Sequence, residues 1–215
     1  MSKSYNGVKR VTSYYVFLLI VWGCYRLLFQ LPETVESFVL KPIVWLLPLL
    51  WLLKKENKSI SSLGINSNKI FSTIYLSLIL GVIFSFEGLF VNYLKYGSLE
   101  FRAFVGQSSF FVLMFSTLAT AISEELAFRG YIFNRLLDIS RNEWSANLIT
   151  SIGWSIIHLP IAVLDWQLSF YSLSIYVFLL FLFSFAACFV FARTKNILAP
   201  ILLHLFWQWP IILFR

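Results

Sequence analysis

Seven long apolar runs constrain this chain more than any other feature. They are residues Tyr14–Gln30, Ser37–Leu53, Ile70–Leu94, Ser108–Leu137, Ala146–Leu164, Tyr171–Ala192 and Ile197–Phe214. A helix crossing a bilayer needs roughly 20 apolar residues, within a range of about 17–25. Inside lipid a backbone must satisfy its own hydrogen bonds, so such runs become helices. The expected fold is therefore all-α: a polytopic bundle of about seven spans. The first, second and seventh runs are the shortest. The fourth is too long for one span, and its end, Gly130–Leu137, reads as an interfacial turn of helix.

Composition agrees. The chain is 59% hydrophobic and 13% charged, against about 25% charged in soluble domains. A net charge of +7 raises the question of nucleic acid. The basic residues, however, sit in short loops between apolar runs, the pattern that orients a membrane protein. No nucleic-acid partner is expected; the lipid bilayer is. Cys24 and Cys188 lie in different apolar runs and read as small buried hydrophobes.

With the N-terminus inside, eleven Lys and Arg residues fall on the inner side: Lys3, Lys9, Arg10, Lys54, Lys55, Lys58, Lys69, Arg135, Arg141, Arg193 and Lys195. The outer side holds three, Lys95, Arg102 and Arg215. The expected orientation is N-in and C-out. The first ten residues, MSKSYNGVKR, are polar and basic, so no cleaved signal peptide is expected.

Charges inside the apolar runs point to chemistry. Glu124, Glu125 and Arg129 lie in the fourth run, in the sequence EELAFR. A charge at the bilayer centre costs roughly 2.5–3.5 kcal/mol on insertion scales. Such groups face protein, find partners and mark functional sites. Glu125 and Arg129 are four apart and share a helix face. Glu124 is rotated about 100° from Glu125. It continues the line Ser116–Thr120–Glu124 and is expected to be the uncommitted carboxylate.

Both histidines of the chain lie in apolar runs. His158 ends a polar stripe, Asn147–Ser151–Ser155–His158, with Pro160 two residues on to open the backbone. His204 lies in a second stripe, Asn196–Pro200–His204–Gln208. At roughly 1.5 Å per residue, Glu124, His158 and His204 all fall in the middle or inner half of the membrane. The set suits water activation: a buried carboxylate as base, a histidine sharing the proton, and a second histidine with an amide facing a developing oxyanion. Zinc is the competing chemistry, held by two His and one Glu with an open fourth position. Against it, no HExxH spacing is present and Glu125 is better explained by Arg129. Glu87, Arg26 and Lys41 also lie within runs, in the outer half, where they are expected to neutralise one another.

These residues resemble a known family. EELAFR matches EExxxR, Trp154–His158 resembles FxxxH, and His204–Gln208 resembles HxxxN. Order and intervals are similar to the CAAX prenyl endopeptidase and bacteriocin-processing family (CPBP, or Abi) of intramembrane proteases. The resemblance covers Ser108–Phe214 and implies three spans at 1–107 packed on a catalytic core at 108–215. It implies a glutamate-dependent endopeptidase with Glu124 as base, His158 helping to activate water, and His204 at an oxyanion-stabilising position with Gln208. Glu125, Arg129 and Trp154 would support the site.

The resemblance also implies a cavity open to the cytoplasmic side, no cofactor and no catalytic metal. Trp154 stands for Phe, and Gln208 for Asn. Gln keeps the amide donors and acceptor but is one methylene longer. Small relatives are linked to peptide maturation and self-immunity against bacteriocins. The expected substrate is a peptide or membrane-anchored precursor at the cell membrane. A non-catalytic scaffold regulating a partner such as a sensor kinase is the alternative. A transporter is a third reading, disfavoured because the chain shows neither duplicated halves nor paired broken segments.

Overall fold

The structure, a computed structural model, describes residues 2–29, 31–101 and 109–214, and the side chains within them except those of residues 2–4, 24, 26, 27, 33 and 94–96. The expectations placed on the side chains of Lys3, Cys24, Arg26 and Lys95, on Arg102 and Arg215, and on a boundary at 107/108 lie outside these described residues.

The described chain is helical: α1 Ser2–Leu28, α2 Glu33–Val35, α3 Lys41–Lys55, α4 Ile70–Tyr96, α5 Phe110–Glu125, α6 Asn134–Ser140, α7 Glu143–Ile157, α8 Phe170–Thr194 and α9 Leu198–Leu213. No named strand forms among the described residues, which hold one antiparallel bridge, Phe101–Phe214. The polytopic all-α reading holds.

Among the described residues, five helices are long and apolar enough to cross a membrane: Glu36–Lys55, Ile70–Tyr93, Phe110–Ser140, Glu143–Asp165 and Phe170–Thr194. The expected first span, Tyr14–Gln30, includes positions that lie outside the described residues. The expected seventh span falls short of that standard. With 16 residues, α9 is about 24 Å long, less than the ~30 Å hydrocarbon core. The fourth run continues as helix through Gly130–Leu137 to Ser140.

Local sequence explains several boundaries. Pro42 sits in the first turn of α3, where a missing N–H costs least. Lys54 and Lys55 end that helix, complementing its dipole. Asn142 caps α7 by accepting from the Ser145 amide at 3.0 Å. The Ser169 hydroxyl accepts from the Ser172 amide at the start of α8. Gly97, at φ 71°, closes α4.

Three helices carry widened π-helical turns: Glu36–Leu40 before α3, Leu126–Phe133 between α5 and α6, and Ile161–Asp165 after α7. Such turns are rare and recur at functional sites. Here each abuts a charged or histidine residue considered below. Lys41 follows the first, Arg129 lies within the second, and His158 with Pro160 precedes the third.

α9 is held by α4 through close packing. Ser77 donates to the Ala199 carbonyl at 3.0 Å, Ser85 to Phe206 at 2.9 Å and Asn92 to Ile211 at 2.8 Å. Between these bonds Gly81 lies against Phe206 and Gly88 against the Trp207 carbonyl. Small residues permit this approach of two helices. The contact fixes the rotation of α9, and with it the direction of His204.

Candidate active site

Glu124 and Glu125 end α5, and both are buried. Their partners come from different directions, as a 100° rotation between neighbours requires. Arg129 donates from Nη1 to Glu125 Oε1 at 2.9 Å, with Oε2 also 2.9 Å away. Its Nη2 donates to the Ser184 hydroxyl at 2.9 Å and carbonyl at 3.3 Å. The guanidinium lies 4.6 Å from the Trp154 ring and 5.6 Å from Phe183. A fully buried charge is tolerable only with such pairing.

His204, on α9, is buried with its Nδ1 2.7 Å from Glu125 Oε1. Glu125 thus serves both Arg129 and His204. With Arg129 alongside, Glu125 is a carboxylate that only accepts, so His204 Nδ1 carries the proton and Nε2 is left for other work. His158, at the end of α7, is half-buried, and its Nδ1 lies 2.8 Å from the Trp154 carbonyl. A carbonyl also only accepts, so the same tautomer follows. Trp154 separates the two histidines, its ring 4.7 Å from His158 and 5.7 Å from His204. Phe183 stacks on Trp207 at 4.5 Å and meets His204 edge-on at 5.1 Å.

Glu124 is not the uncommitted carboxylate expected from sequence. The Lys41 ammonium donates to its Oε1 at 2.5 Å. Lys41 therefore turns to Glu124 rather than neutralising Glu87. The line Ser116–Thr120–Glu124 explains the approach. Thr120 donates to the Ser37 hydroxyl at 3.3 Å, docking α5 on the π turn that precedes Lys41. Glu124 also lies within electrostatic range of His204 and His158.

Two stripes divide between site and scaffold. On α7, Asn147 donates to Phe185 of α8, Ser151 to Asn147, and Ser155 to the Ser151 carbonyl. Asn147 thus ties α7 to α8, Ser151 and Ser155 bond within α7, and only His158 turns to the site. Just before α9, Asn196 donates to the carbonyls of Asn66 and Asn68, tying down the 56–69 loop. Gln208 stands one turn beyond His204, with its Oε1 buried and without a hydrogen bond. Sequence reasoning also missed Ser184, a small polar residue inside an apolar helix, and the aromatic pair Trp22 and Trp45 beside Lys41.

No group of three His, Cys, Asp or Glu residues suited to a metal forms among the described residues. The zinc reading needs Glu124 as a ligand, and its Oε1 is taken by the Lys41 ammonium.

Five membrane-length helices around a buried Glu–Glu–Arg cluster and two histidines define a polytopic membrane protein with an intramembrane polar site. Residues 106–210 match the family model for the type II CAAX prenyl endopeptidase, Rce1-like. That stretch, 105 of the 215 residues, is similar to this endopeptidase family. The stretch contains Glu124, Glu125, Arg129, Trp154, His158, His204 and Gln208. No curated protein and no solved structure matches the chain.

Proposed function

We propose that the chain is an intramembrane endopeptidase that hydrolyses a peptide or membrane-anchored precursor without a metal ion, at a site open to the cytoplasmic side. What supports this most is one relationship. The Glu124 carboxylate, from α5, lies within electrostatic range of His158 from α7 and His204 from α9.

In this reading a water molecule lies against Glu124. The carboxylate takes its proton, and the Nε2 lone pair of His158 offers a second acceptor. The oxygen adds to the scissile carbonyl carbon, and negative charge develops on the carbonyl oxygen. The Gln208 amide donates to that oxygen. His204 donates from Nε2 when its ring carries both protons. Glu124 then returns the proton to the departing amine. Arg129, Ser184 and Trp154 hold Glu125 and His204 in place.

The proposed orientation is N-in and C-out, following the eleven-to-three distribution of basic residues. The proposed division is 1–107 as helices packed on a core at 108–215. The proposed setting is the cell membrane, with bacteriocin or pheromone maturation, or self-immunity, as the biological task.

The test compares membrane and secreted peptides by mass spectrometry of their termini, from cells carrying wild type or Glu124→Gln at matched abundance. New termini confined to wild type support proteolysis and reveal the substrate. Identical profiles, with any phenotype retained by Glu124→Gln, move the reading to a non-catalytic scaffold.

A further inference from the structure

Lys41 lies outside the residues that match the family, and none of the three motifs includes it. Its side chain is nonetheless only 8% exposed and 2.5 Å from Glu124 Oε1, across 83 residues of sequence. Taking an ammonium out of water costs several kcal/mol, which a partner must offset. Among the described residues Glu124 is its one carboxylate partner. The rings of Trp22 and Trp45 complete its surroundings at 4.9 Å and 5.8 Å. Of three N–H donors, one is directed to Glu124. The others face rings, which attract the charge but do not saturate its hydrogen bonds.

The donors around Glu124 are few. His158 Nδ1 gives its proton to the Trp154 carbonyl, and His204 Nδ1 gives its proton to Glu125. In their neutral forms both rings therefore present a lone pair at Nε2. Donors that need no protonated ring include the Lys41 ammonium, the Gln208 amide and the buried indole N–H groups of Trp45, Trp154 and Trp207; of these only Lys41 is already on Glu124. Arg129 spends Nη1 and Nη2 on Glu125 and Ser184.

The charges balance in a way that gives Lys41 a task. Glu124 and Glu125 carry two negative charges, Lys41 and Arg129 two positive. When Glu124 takes the proton from water it becomes neutral. The new C–O bond forms, and the carbonyl π pair moves onto oxygen. The negative charge has then passed from Glu124 to the substrate. A cation fixed beside Glu124 would lose its partner; a cation on a flexible four-carbon stem can follow. When the intermediate collapses, the oxygen pair re-forms the carbonyl, and the C–N bond breaks with its pair going to nitrogen. Glu124 returns the proton to that nitrogen, and Lys41 regains its carboxylate. With both rings neutral, no buried charge is left unpaired at any stage.

We propose that Lys41 is a catalytic residue of this site, supplied by the N-terminal helices: it holds the Glu124 carboxylate at rest and donates to the substrate oxygen once Glu124 is protonated. The proposal rests on the protease reading above. It also means that the core at 108–215 does not carry a complete site by itself.

The test uses the full-length protein in lipid vesicles and two internally quenched peptides ending in a CAAX sequence, one farnesylated on its cysteine and one not. Lys41→Met is expected to lower kcat by about 100- to 1000-fold, the loss typical of a removed oxyanion donor, with KM little changed. Lys41→Arg, which keeps the charge, is expected to recover part of that loss. The double variant Lys41→Met/Glu124→Gln removes both charges and is expected to regain wild-type thermal stability without regaining turnover.

A Lys41→Met enzyme with unchanged kcat, or with a defect in KM alone, overturns the role. So does a Lys41→Arg enzyme no better than Lys41→Met, or a double variant that stays unstable, since the loss is then one of folding. A wild type that cleaves neither peptide sinks the protease reading and this role together. A wild type that cleaves, beside an indifferent Lys41→Met, sinks this role alone.

Discussion

His204 Nδ1 and Glu125 Oε1 meet at 2.7 Å, joining helices whose residues lie 79 apart in sequence. The same carboxylate receives Arg129. Glu125 therefore fixes a charge and a histidine tautomer together, and the two effects can be separated. Glu125→Gln leaves Arg129 buried without a counter-charge and is expected to cost about 3–5 kcal/mol of stability. The double variant Glu125→Leu/Arg129→Met removes both charges. It is expected to recover most of that loss in thermal unfolding, because apolar replacement of a buried pair is often neutral. Turnover should stay low, since His204 has lost the acceptor that orients it. Recovery of turnover in the double variant would show that His204 needs no such partner.

Gln208 presents the opposite case. Its Oε1 is buried and makes no hydrogen bond. A buried acceptor without a partner costs about 1–3 kcal/mol. Gln208→Leu is thus expected to hold or raise the thermal midpoint, whereas in the proposed mechanism it lowers kcat by roughly 100-fold through loss of an oxyanion donor. Loss of stability alongside activity would mean that Gln208 serves packing instead.

Much of this cluster was legible in the sequence. The four-residue spacing of Glu125 and Arg129 put both on one face, and they pair at 2.9 Å. Trp154 and His158 share a face for the same reason, and their rings lie 4.7 Å apart. What periodicity does not encode is which helix stands opposite. Lys41 was legible as a costly charge but not as a partner of Glu124, because that depends on how α3 docks on α5. The π turn at Glu36–Leu40, which carries no recognised sequence signal, adjoins that docking. The polar stripe on α7 was legible as a line, yet Asn147 turns to α8, Ser151 bonds back to Asn147, and only His158 reaches the site. The Ser77–Gly81–Ser85–Gly88–Asn92 line on α4 was there to be read at near four-residue spacing. It pointed to a close helix contact rather than to chemistry.

Metal removal supplies a further expectation. With an ammonium 2.5 Å from Glu124 Oε1, a divalent ion beside that oxygen would meet a like charge. Cleavage by the protein in vesicles is expected to survive treatment with EDTA and with 1,10-phenanthroline. Loss of activity restored by added zinc would contradict the metal-independent mechanism and revive the two-histidine, one-glutamate site.

The α4–α9 contact predicts a long-range effect on the site. A Cβ at Gly81 would come within 2.5 Å of Phe206 Cδ2 and 3.0 Å of its Cβ. One at Gly88 would come within 2.8 Å of the Trp207 carbonyl oxygen. Overpacking of this kind typically costs about 1–3 kcal/mol. The two positions differ in what can yield. Gly81→Ala meets a side chain, so Phe206→Ala should relieve it, and the pair should show a coupling of about 0.5–3 kcal/mol in a double-mutant cycle. Gly88→Ala meets backbone and has no such relief. It should push α9 away from α4 and carry His204 off the Glu125 carboxylate. The expected result is a falling kcat in Gly88→Ala even where the protein remains folded, and near-normal kcat in Gly81→Ala/Phe206→Ala. Equal kcat in all of these variants would show that the rotation of α9 is fixed elsewhere, by its contacts with α5 and α8.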